Sequence, residues 1–281
     1  MKHHILAAKQ TAAYTAFLRS EERAAATVEK YTRDVLAFAA WLGDRPVTKE
    51  TVTQWKERLV ADDLSPATVN AKLAAVNGLL RFLGWEECRV KFVKVQKRAF
   101  RDAARDLSRD EYQRLLTAAQ ALGRERLELL LETICATGIR VSEVKYITVE
   151  AAKNGRTDVS LKGKVRTILL PAKLCRKLLK YAKKQKNVSG EIFLSENGTS
   201  LSRVQIWREM KRICKMAGVE PSKVFPHNLR HLFATTFYRA TKDIIKLADI
   251  LGHSSINTTR IYLLTTGAEH ARCLERLGLV S

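Results

Sequence analysis

Three separated groups of polar residues in this 281-residue chain have the side chains needed to bind and attack a phosphate. The first, Ala-Thr-Gly-Ile-Arg-Val-Ser-Glu at 136–143, contains Arg140. The second is Phe-Pro-His-Asn-Leu-Arg-His at 225–231, and the third runs from Leu-Gly-His at 251–253 to Tyr262. Guanidinium groups bind pairs of phosphate oxygens, histidine transfers protons near neutral pH, and a phenol oxygen can act as a nucleophile. These side chains therefore suit the cleavage of a phosphodiester.

The second group is expected to open a helix. His227 and Arg230 are three residues apart, so a helix presents both on one side, and Pro226 suits its first turn. We expect Arg230 to hold the phosphate and His227 to act as a proton shuttle. His231 falls on a different face and is interpreted as structural. A zinc site formed by His227 and His231 is the alternative, but the carboxylate of an H-E-x-x-H motif is missing.

Arg140 follows the break at Thr137-Gly138 and is expected at or near the start of a helix. Backbone N–H groups at that position are free to assist a guanidinium in binding phosphate. Glu143, three residues on, can pair with Arg140. This pair is either a structural ion pair or a way of orienting the arginine, and the two interpretations are compatible.

The order and spacing of these groups resemble those of the tyrosine recombinases, the integrase family that cuts and rejoins DNA through a phosphotyrosine bond. Residues 136–143 resemble the family's first arginine box, and 251–262 resemble its third box. The resemblance implies that Tyr262 is the nucleophile and that His253 donates to a phosphate oxygen. It also implies that a lysine in a hairpin turn protonates the leaving 5′ oxygen. Lys162 matches this lysine, and Lys164 is the alternative.

The same resemblance implies a site-specific DNA recombinase that needs no metal, ATP or other cofactor. Two protomers would bind each site on double-stranded DNA and four would form the synapse, with a partner recombinase or accessory protein as a further possibility. The tail at 268–281 would dock on a neighbouring protomer, or else fold back on its own core. The rival functions are strand relaxation of the type IB topoisomerase kind and helical DNA binding without catalysis.

Charge agrees with a nucleic-acid partner. The formal net charge is +21, and binding to a polyanion releases its counterions. Residues 1–106 carry 19 Lys and Arg against 13 Asp and Glu, whereas 107–281 carry 31 against 16. Both parts are therefore basic, as a clamp closing on DNA requires. A protein that only coats nucleic acid would have the same charge, so charge alone does not indicate the chemistry.

Hydrophobic periodicity predicts a mainly α chain with a small β-hairpin. The resemblance implies a two-domain, C-shaped DNA clamp. Its parts would be a helical core-binding (SAM-like) domain at 1–90, a basic linker at 91–106, and a catalytic domain with a C-terminal tail helix at 107–281. The linker is interpreted either as extended along DNA or as a solvated connector. The predicted helices cover 24–42, 49–61, 66–83, 109–122 and 124–136, and the predicted hairpin covers 158–170.

Helix starts are predicted from capping residues, namely Thr48, Ser65 followed by Pro66, and Ser108. No long apolar run indicates a signal peptide or a membrane helix, so we expect a cytoplasmic protein. His3 and His4 are interpreted as part of a flexible terminus in preference to a metal site. Scattered cysteines without a C-x-x-C pair are interpreted as free thiols of a reducing cytoplasm, namely Cys88, Cys135, Cys175, Cys214 and Cys273.

Overall fold

The computed structural model of the chain describes residues 4–95, 103–161, 164–263 and 275–276. The chain divides into two compact units, Met1–Lys97 and Arg98–Ser281. This division falls inside the predicted linker at 91–106, of which residues 96–102 lie outside the described part. Among the described residues, no helix combines the length and the apolar character that crossing a bilayer requires.

The described residues of the N-terminal unit form four α-helices and a short 3-10 turn. The helices are α1 (Ala8–Ser20), α2 (Ala25–Leu42), α3 (Lys49–Ala61) and α4 (Pro66–Phe82). Two predicted caps are confirmed: Thr48 accepts a hydrogen bond from the Thr51 N–H, and Ser65 accepts one from the Thr68 N–H. The start of α1 was not predicted, because its N-cap Ala7 has no side-chain hydrogen bond to offer.

The beginning of the predicted linker is bound to α4. Asn77 donates to the Val90 carbonyl at 2.9 Å and accepts from the Val90 N–H at 3.2 Å. Asn70 makes the same pair of bonds with Val93, at 2.9 and 2.8 Å. In each pair, the asparagine side chain bonds to both the N–H and the carbonyl of one valine, as a neighbouring strand would. The chain therefore runs along its own helix up to Val93.

His4 is not part of a flexible terminus, so that prediction is wrong. Its carbonyl accepts the Val47 N–H at 2.7 Å, and its ring stacks on Trp85 with centroids 4.4 Å apart. Its Nε2 lies 2.8 Å from a Glu87 carboxylate oxygen. Stacking and this polar contact together fix the residue on the N-terminal unit. His3 lies outside the described residues.

In the part of the C-terminal unit that the structure describes, the regular elements are helices and one hairpin. Its helices are α5 (Arg109–Ala121), α6 (Glu125–Thr137), α7 (Val149–Asn154), α8 (Ala172–Lys184), α9 (Arg203–Ala217), α10 (Pro226–Thr241), α11 (Ile244–Leu251) and α12 (Ile256–Arg260). Strands β1 (Arg156–Leu161) and β2 (Lys164–Leu169) pair in antiparallel order. The mainly α fold with a small hairpin is therefore confirmed, although the hairpin turn at 162–163 lies outside the described residues.

The core of this unit has two parts. The larger cluster packs α5, α6, α8 and α9 around fully buried residues such as Leu130 and Met210. The smaller cluster joins α10, α11 and the following turn through Ala234, Leu247, Leu251 and Tyr262. The described cysteines are free thiols, and Cys273 lies outside the described residues. The smaller cluster includes Tyr262, the predicted nucleophile.

Candidate active site

Arg140 is placed by the end of α6. Gly138 ends this helix with φ +63°, and a Cβ there would lie 2.4 Å from the Phe233 ring. Only glycine therefore lets α6 approach α10 this closely. Arg140 precedes Val141–Tyr146, which is a 3-10 helix. Its backbone N–H and its guanidinium donate to the Glu143 carboxylate at 2.8 and 3.0 Å, so the predicted pair with Glu143 is present.

Arg230 is the buried centre of the site, with 2% of its surface exposed. It lies in the second turn of α10, which starts at Pro226 as predicted. Its guanidinium donates to the carbonyls of Gly138 at 2.5 Å and Leu251 at 2.8 Å, and to Nε2 of His253 at 3.0 Å. Burial lowers the pKa of Arg230 to about 10, with a smaller effect from a neighbouring arginine. Arg230 is therefore still positively charged at neutral pH.

His253 follows Gly252, which ends α11 with φ +62°. Its Nδ1 lies 2.9 Å from the Thr259 hydroxyl, while its Nε2 lies against Arg230. A guanidinium has no acceptor, so Nε2 accepts and the proton of the neutral ring is on Nδ1. Burial, followed by the charge of Arg230, lowers the pKa of His253 to about 4. The role predicted for His253, donation to a phosphate oxygen, needs the proton on Nε2.

Tyr262 lies in a single 3-10 turn, Ile261–Leu263, directly after α12. Ser255 caps α12 by accepting the Asn257 N–H. The tyrosine is only 5% exposed, and its ring stacks on that of His253, whose Nε2 lies 3.0 Å from the Arg230 guanidinium. Packing of the ring in the small core cluster therefore fixes the tyrosine close to a buried positive charge.

Three histidine rings surround Tyr262. The ring centroids of His227, His231 and His253 lie 5.7, 5.3 and 5.7 Å from that of Tyr262. His227 is exposed, whereas His231 is buried. His231 was interpreted as structural only, yet it faces the tyrosine as closely as the other two. Helix geometry alone does not show this, because the contact depends on how the turn after α12 folds back.

Five of the six predicted catalytic residues lie together in this part of the C-terminal unit, namely Arg140, His227, Arg230, His253 and Tyr262. Lys162, the sixth, lies outside the described residues, and only the backbone of Lys164 is described. The assignment of Lys162, with Lys164 as the alternative, as the residue that protonates the leaving oxygen therefore stays a prediction.

Arg166 belongs to the same group but was not predicted. It donates to Glu143 at 2.6 Å and to the Ile250 carbonyl at 2.8 Å. A signal was present in the sequence, because side chains alternate along a strand and Arg166 shares the face of β2 with buried Ile168. An arginine on the apolar face of a strand indicates a buried partner.

Positive charge exceeds negative charge in the site. Arg140, Arg166 and Arg230 lower the pKa of His253 together, while Glu143 is the buried carboxylate that pairs with two of these arginines. The three guanidinium groups carry more positive charge than the one carboxylate neutralises. Because they are fixed in place, they stabilise negative charge on a bound oxyanion. The arrangement suits a phosphodiester passing through a more highly charged transition state.

Family comparisons agree with this chemistry. Residues 105–268 match the phage integrase family, and residues 12–87 match the SAM-like N-terminal domain of phage integrases. The chain belongs to the phage integrase family. The predicted resemblance to tyrosine recombinases is thereby confirmed, and site-specific DNA recombination is the activity that these comparisons favour over strand relaxation and over binding without catalysis.

The chain resembles named recombinases along most of its length. It is 27% identical to tyrosine recombinase XerA of Pyrococcus furiosus over 290 residues, covering 100% of this chain and 98% of the relative. It is 30% identical to tyrosine recombinase XerD of Brucella suis, covering 87% and 89% of the two chains. The alignments therefore cover most of this chain and most of each relative.

Solved structures share the fold. XerH recombinase bound to its difH substrate, before cleavage, matches with a TM-score of 0.69 at 21% identity, over 95% of this chain and 84% of the other. A lambda integrase tetramer bound to a Holliday junction matches with a TM-score of 0.75 at 19% identity, over 93% and 78%. At these identities the likeness establishes a common fold.

Proposed function

We propose that Tyr262 attacks a DNA phosphodiester, so that this chain recombines specific DNA sites through a covalent intermediate. The phenol oxygen forms a bond to phosphorus, the bond from phosphorus to the 5′ oxygen breaks, and a 3′-phosphotyrosine and a 5′ hydroxyl result. The 5′ hydroxyl of a partner strand then attacks the same phosphorus and releases the tyrosine. Each step forms one phosphorus–oxygen ester bond and breaks another.

The observation that carries this proposal is that buried Tyr262 stacks on His253, whose Nε2 lies 3.0 Å from the guanidinium of buried Arg230. Most buried tyrosines bond to a neutral backbone group or another side chain. Here a permanently charged guanidinium lies close to the tyrosine, across the stacked ring of His253, and it lowers the cost of forming a phenolate or a pentacoordinate phosphorus beside it. Seven tyrosines occur in the chain, and the setting of Tyr262 distinguishes it.

The remaining residues take roles that follow from their charge. Arg140 and Arg230 hold the non-bridging oxygens of the phosphate from two sides. His227, which is exposed beside the tyrosine, accepts and returns the phenol proton. His253 donates to a phosphate oxygen once DNA displaces Arg230 from its Nε2 and the ring proton moves from Nδ1 to Nε2, with the Thr259 hydroxyl then donating to Nδ1. Lys162 protonates the leaving 5′ oxygen.

The reaction needs neither ATP nor a metal ion in this proposal. One phosphodiester is exchanged for a phosphotyrosine ester and then for another phosphodiester, so no external energy source enters the balance. The guanidinium groups of Arg140 and Arg230 provide the positive charge that a divalent cation provides in other phosphoryl-transfer enzymes. Recombination in a buffer containing EDTA tests this part separately.

The assembly follows by analogy with relatives. A lambda integrase dimer has been solved on a core site and a lambda integrase tetramer on a Holliday junction. We infer that two protomers of this chain bind each double-stranded site and that four bring two sites together. Docking of the tail at 268–281 on a neighbour stays a prediction, because only 275–276 of it are described.

A suicide substrate tests the proposed chemistry. Its site is first found by footprinting on the DNA that flanks the gene, and a nick next to the scissile phosphate lets the released fragment diffuse away. The wild-type protein is expected to form a covalent adduct that survives denaturing electrophoresis. Tyr262→Phe is expected to bind the same DNA with unchanged affinity and to form no adduct.

Tyr238→Phe is the matched control, because Tyr238 packs against the same small core cluster. It should retain adduct formation at close to the wild-type rate. An adduct formed by Tyr262→Phe at a comparable rate would reject the assignment of the nucleophile.

A further inference from the structure

Arg166 connects two parts of the site that are distant in sequence. It extends from β2 with a side chain that is 11% exposed. One nitrogen, Nη2, donates to Glu143 at 2.6 Å, and the other, Nη1, donates to the Ile250 carbonyl at 2.8 Å. A planar guanidinium keeps these two acceptors at a fixed separation. Arg166 thus fixes a carboxylate and a helix end relative to one another.

The first contact orients the carboxylate that holds Arg140. Glu143 is 1% exposed, and its Oε1 accepts from the Arg140 side chain. Its Oε2 accepts both the Arg140 N–H and the Arg166 side chain. With both oxygens occupied, the carboxylate cannot rotate without losing a charged hydrogen bond. The direction in which Arg140 points therefore depends on Arg166.

The second contact fixes the segment that carries His253. Ile250 and Leu251 are the last two residues of α11, and each carbonyl accepts from a different arginine, Arg166 and Arg230. Helix-terminal carbonyls lack partners within the helix, so these bonds satisfy them. His253 follows two residues later. Arg166 consequently holds the backbone from which this histidine extends.

Gly252 provides the space for the stem of Arg166. A Cβ at Gly252 would lie 2.5 Å from Cδ of Arg166, which is closer than atoms can approach. This observation is independent of the hydrogen bonds. The Arg166 side chain can therefore take this path only because residue 252 has no side chain.

Keeping Arg166 in this place has an electrostatic cost. Burial lowers the pKa of Arg166, Glu143 opposes this effect, and the positive charge of Arg140 adds to it. A buried charged group is often no more stabilising than an apolar side chain of similar size. Stability alone therefore does not account for a guanidinium at this position.

We propose that Arg166 is a positioning residue for DNA cleavage, which holds Glu143 against Arg140 and the end of α11 beneath His253. It does not itself contact the phosphate. This inference rests on the proposed function, because it assigns Arg166 to the geometry of the same cleavage site.

Arg166→Lys tests the proposal against a matched variant, Arg126→Lys. Arg126 also donates to one carbonyl, that of Leu194 at 2.6 Å, and to one carboxylate, that of Glu209 at 2.7 Å. Lysine keeps the charge in both variants but cannot span two separated acceptors. Both variants therefore lose one bridge between a carbonyl and a carboxylate. Only Arg166→Lys loses this bridge at the candidate active site.

Single-turnover cleavage of the suicide substrate at saturating DNA is the first measurement. Arg166→Lys is expected to cleave about 10- to 100-fold more slowly than the wild-type protein, with DNA affinity unchanged, because small misplacements of catalytic groups have effects of this size. Arg126→Lys is expected to cleave at close to the wild-type rate. Equal rates for the two lysine variants would overturn the proposal.

A methylphosphonate at the scissile position separates positioning from general destabilisation. It replaces a charged non-bridging oxygen with a methyl group, so that the grip of Arg140 on that oxygen matters less. The defect of Arg166→Lys should shrink at least several-fold on this substrate. An equally large defect on both substrates would show a merely structural role and contradict the proposal.

A second pair of variants answers the question if Arg166→Lys does not fold. Gly252→Ala displaces the arginine, whereas Gly155→Ala, at φ +69° with nothing within 4 Å of the new methyl group, has the same backbone strain without the collision. Slower cleavage by Gly252→Ala alone is expected, and equal cleavage would contradict the proposal. Failure of the wild-type protein to form any adduct would instead reject the proposed function.

Discussion

The Arg230 guanidinium donates a hydrogen bond of 3.0 Å to Nε2 of His253. In the free protein, Nε2 is therefore an acceptor that Arg230 occupies. The His253 ring in turn stacks on Tyr262, with ring centroids 5.7 Å apart. One buried arginine thus contacts a predicted phosphate ligand that packs directly on the predicted nucleophile. In the proposed mechanism, binding of DNA redirects N–H groups of Arg230 toward the phosphate, while the bonds to the Gly138 and Leu251 carbonyls hold the arginine in place.

Replacing Arg230 with lysine should disable cleavage while preserving DNA binding. Lysine retains a positive charge but cannot contact two carbonyls, a histidine and a phosphate together. Loss of a comparable fixed donor to a transition-state oxyanion slows enzymes by about 100- to 1000-fold. We expect a decrease of that size in single-turnover cleavage by Arg230→Lys.

Arg239→Lys is a suitable control for this change, because Arg239 is an exposed residue in the last turn of the same helix, α10. It should cleave within about twofold of the wild-type rate, since surface substitutions usually have small effects. Cleavage by Arg230→Lys at the same rate as this control would contradict a direct role for Arg230.

His253 should make the protein less stable in acid. Its pKa is lowered to about 4 in the folded chain, by burial and then by Arg230, Arg140, Arg166 and His227, whereas an unfolded histidine has a pKa of about 6.5. Between these two values the unfolded chain binds more protons than the folded chain, so stability falls as the pH is lowered through this range. Above about pH 6.5 the effect is absent.

Urea unfolding of wild-type protein and His253→Gln, followed between pH 7.5 and 4, measures this effect. The free energy of unfolding of the wild-type protein should fall more steeply with decreasing pH than that of the variant. A difference between the two proteins that does not change with pH would contradict the neutral, buried state of His253. His4→Gln, in the other unit, controls for the loss of a histidine.

Replacing Glu143 with glutamine should destabilise the C-terminal unit. The carboxylate accepts three hydrogen bonds from Arg140 and Arg166, and a neutral amide leaves charged donors poorly satisfied. Leaving buried hydrogen-bonding groups unsatisfied costs about 1 to 3 kcal/mol. We expect a loss of this size in the free energy of unfolding, measured by urea denaturation. Glu196→Gln changes an exposed glutamate and should have almost no effect, and equal stabilities of the two variants would refute the bridging role.

Helix boundaries and the main cationic groups were accessible from the sequence because they depend on local rules. Ser108 accepts the Glu111 N–H, as its position before two acidic residues predicts. Pro226 likewise marks a helix start where it was expected. The spacing of His227 and Arg230 follows from the turn of a helix.

Contacts between distant segments were not accessible in the same way. Arg166 reaches Glu143 across 23 positions and Ile250 across 84, and no local pattern specifies such pairs. His231 faces Tyr262 only because the chain after α12 folds back on α10. Tertiary packing decides both contacts, and one sequence without a structure shows only that polar residues occur on otherwise apolar faces.

The most direct test of the central claim is to identify the residue that becomes linked to DNA. Wild-type protein is trapped on the suicide substrate, digested with protease and nuclease, and the peptide carrying the nucleotide is sequenced by mass spectrometry. The account predicts that the phosphate is attached to Tyr262 and to no other of the seven tyrosines. Attachment to a different residue, or a cleaved strand with no attached peptide, would contradict it.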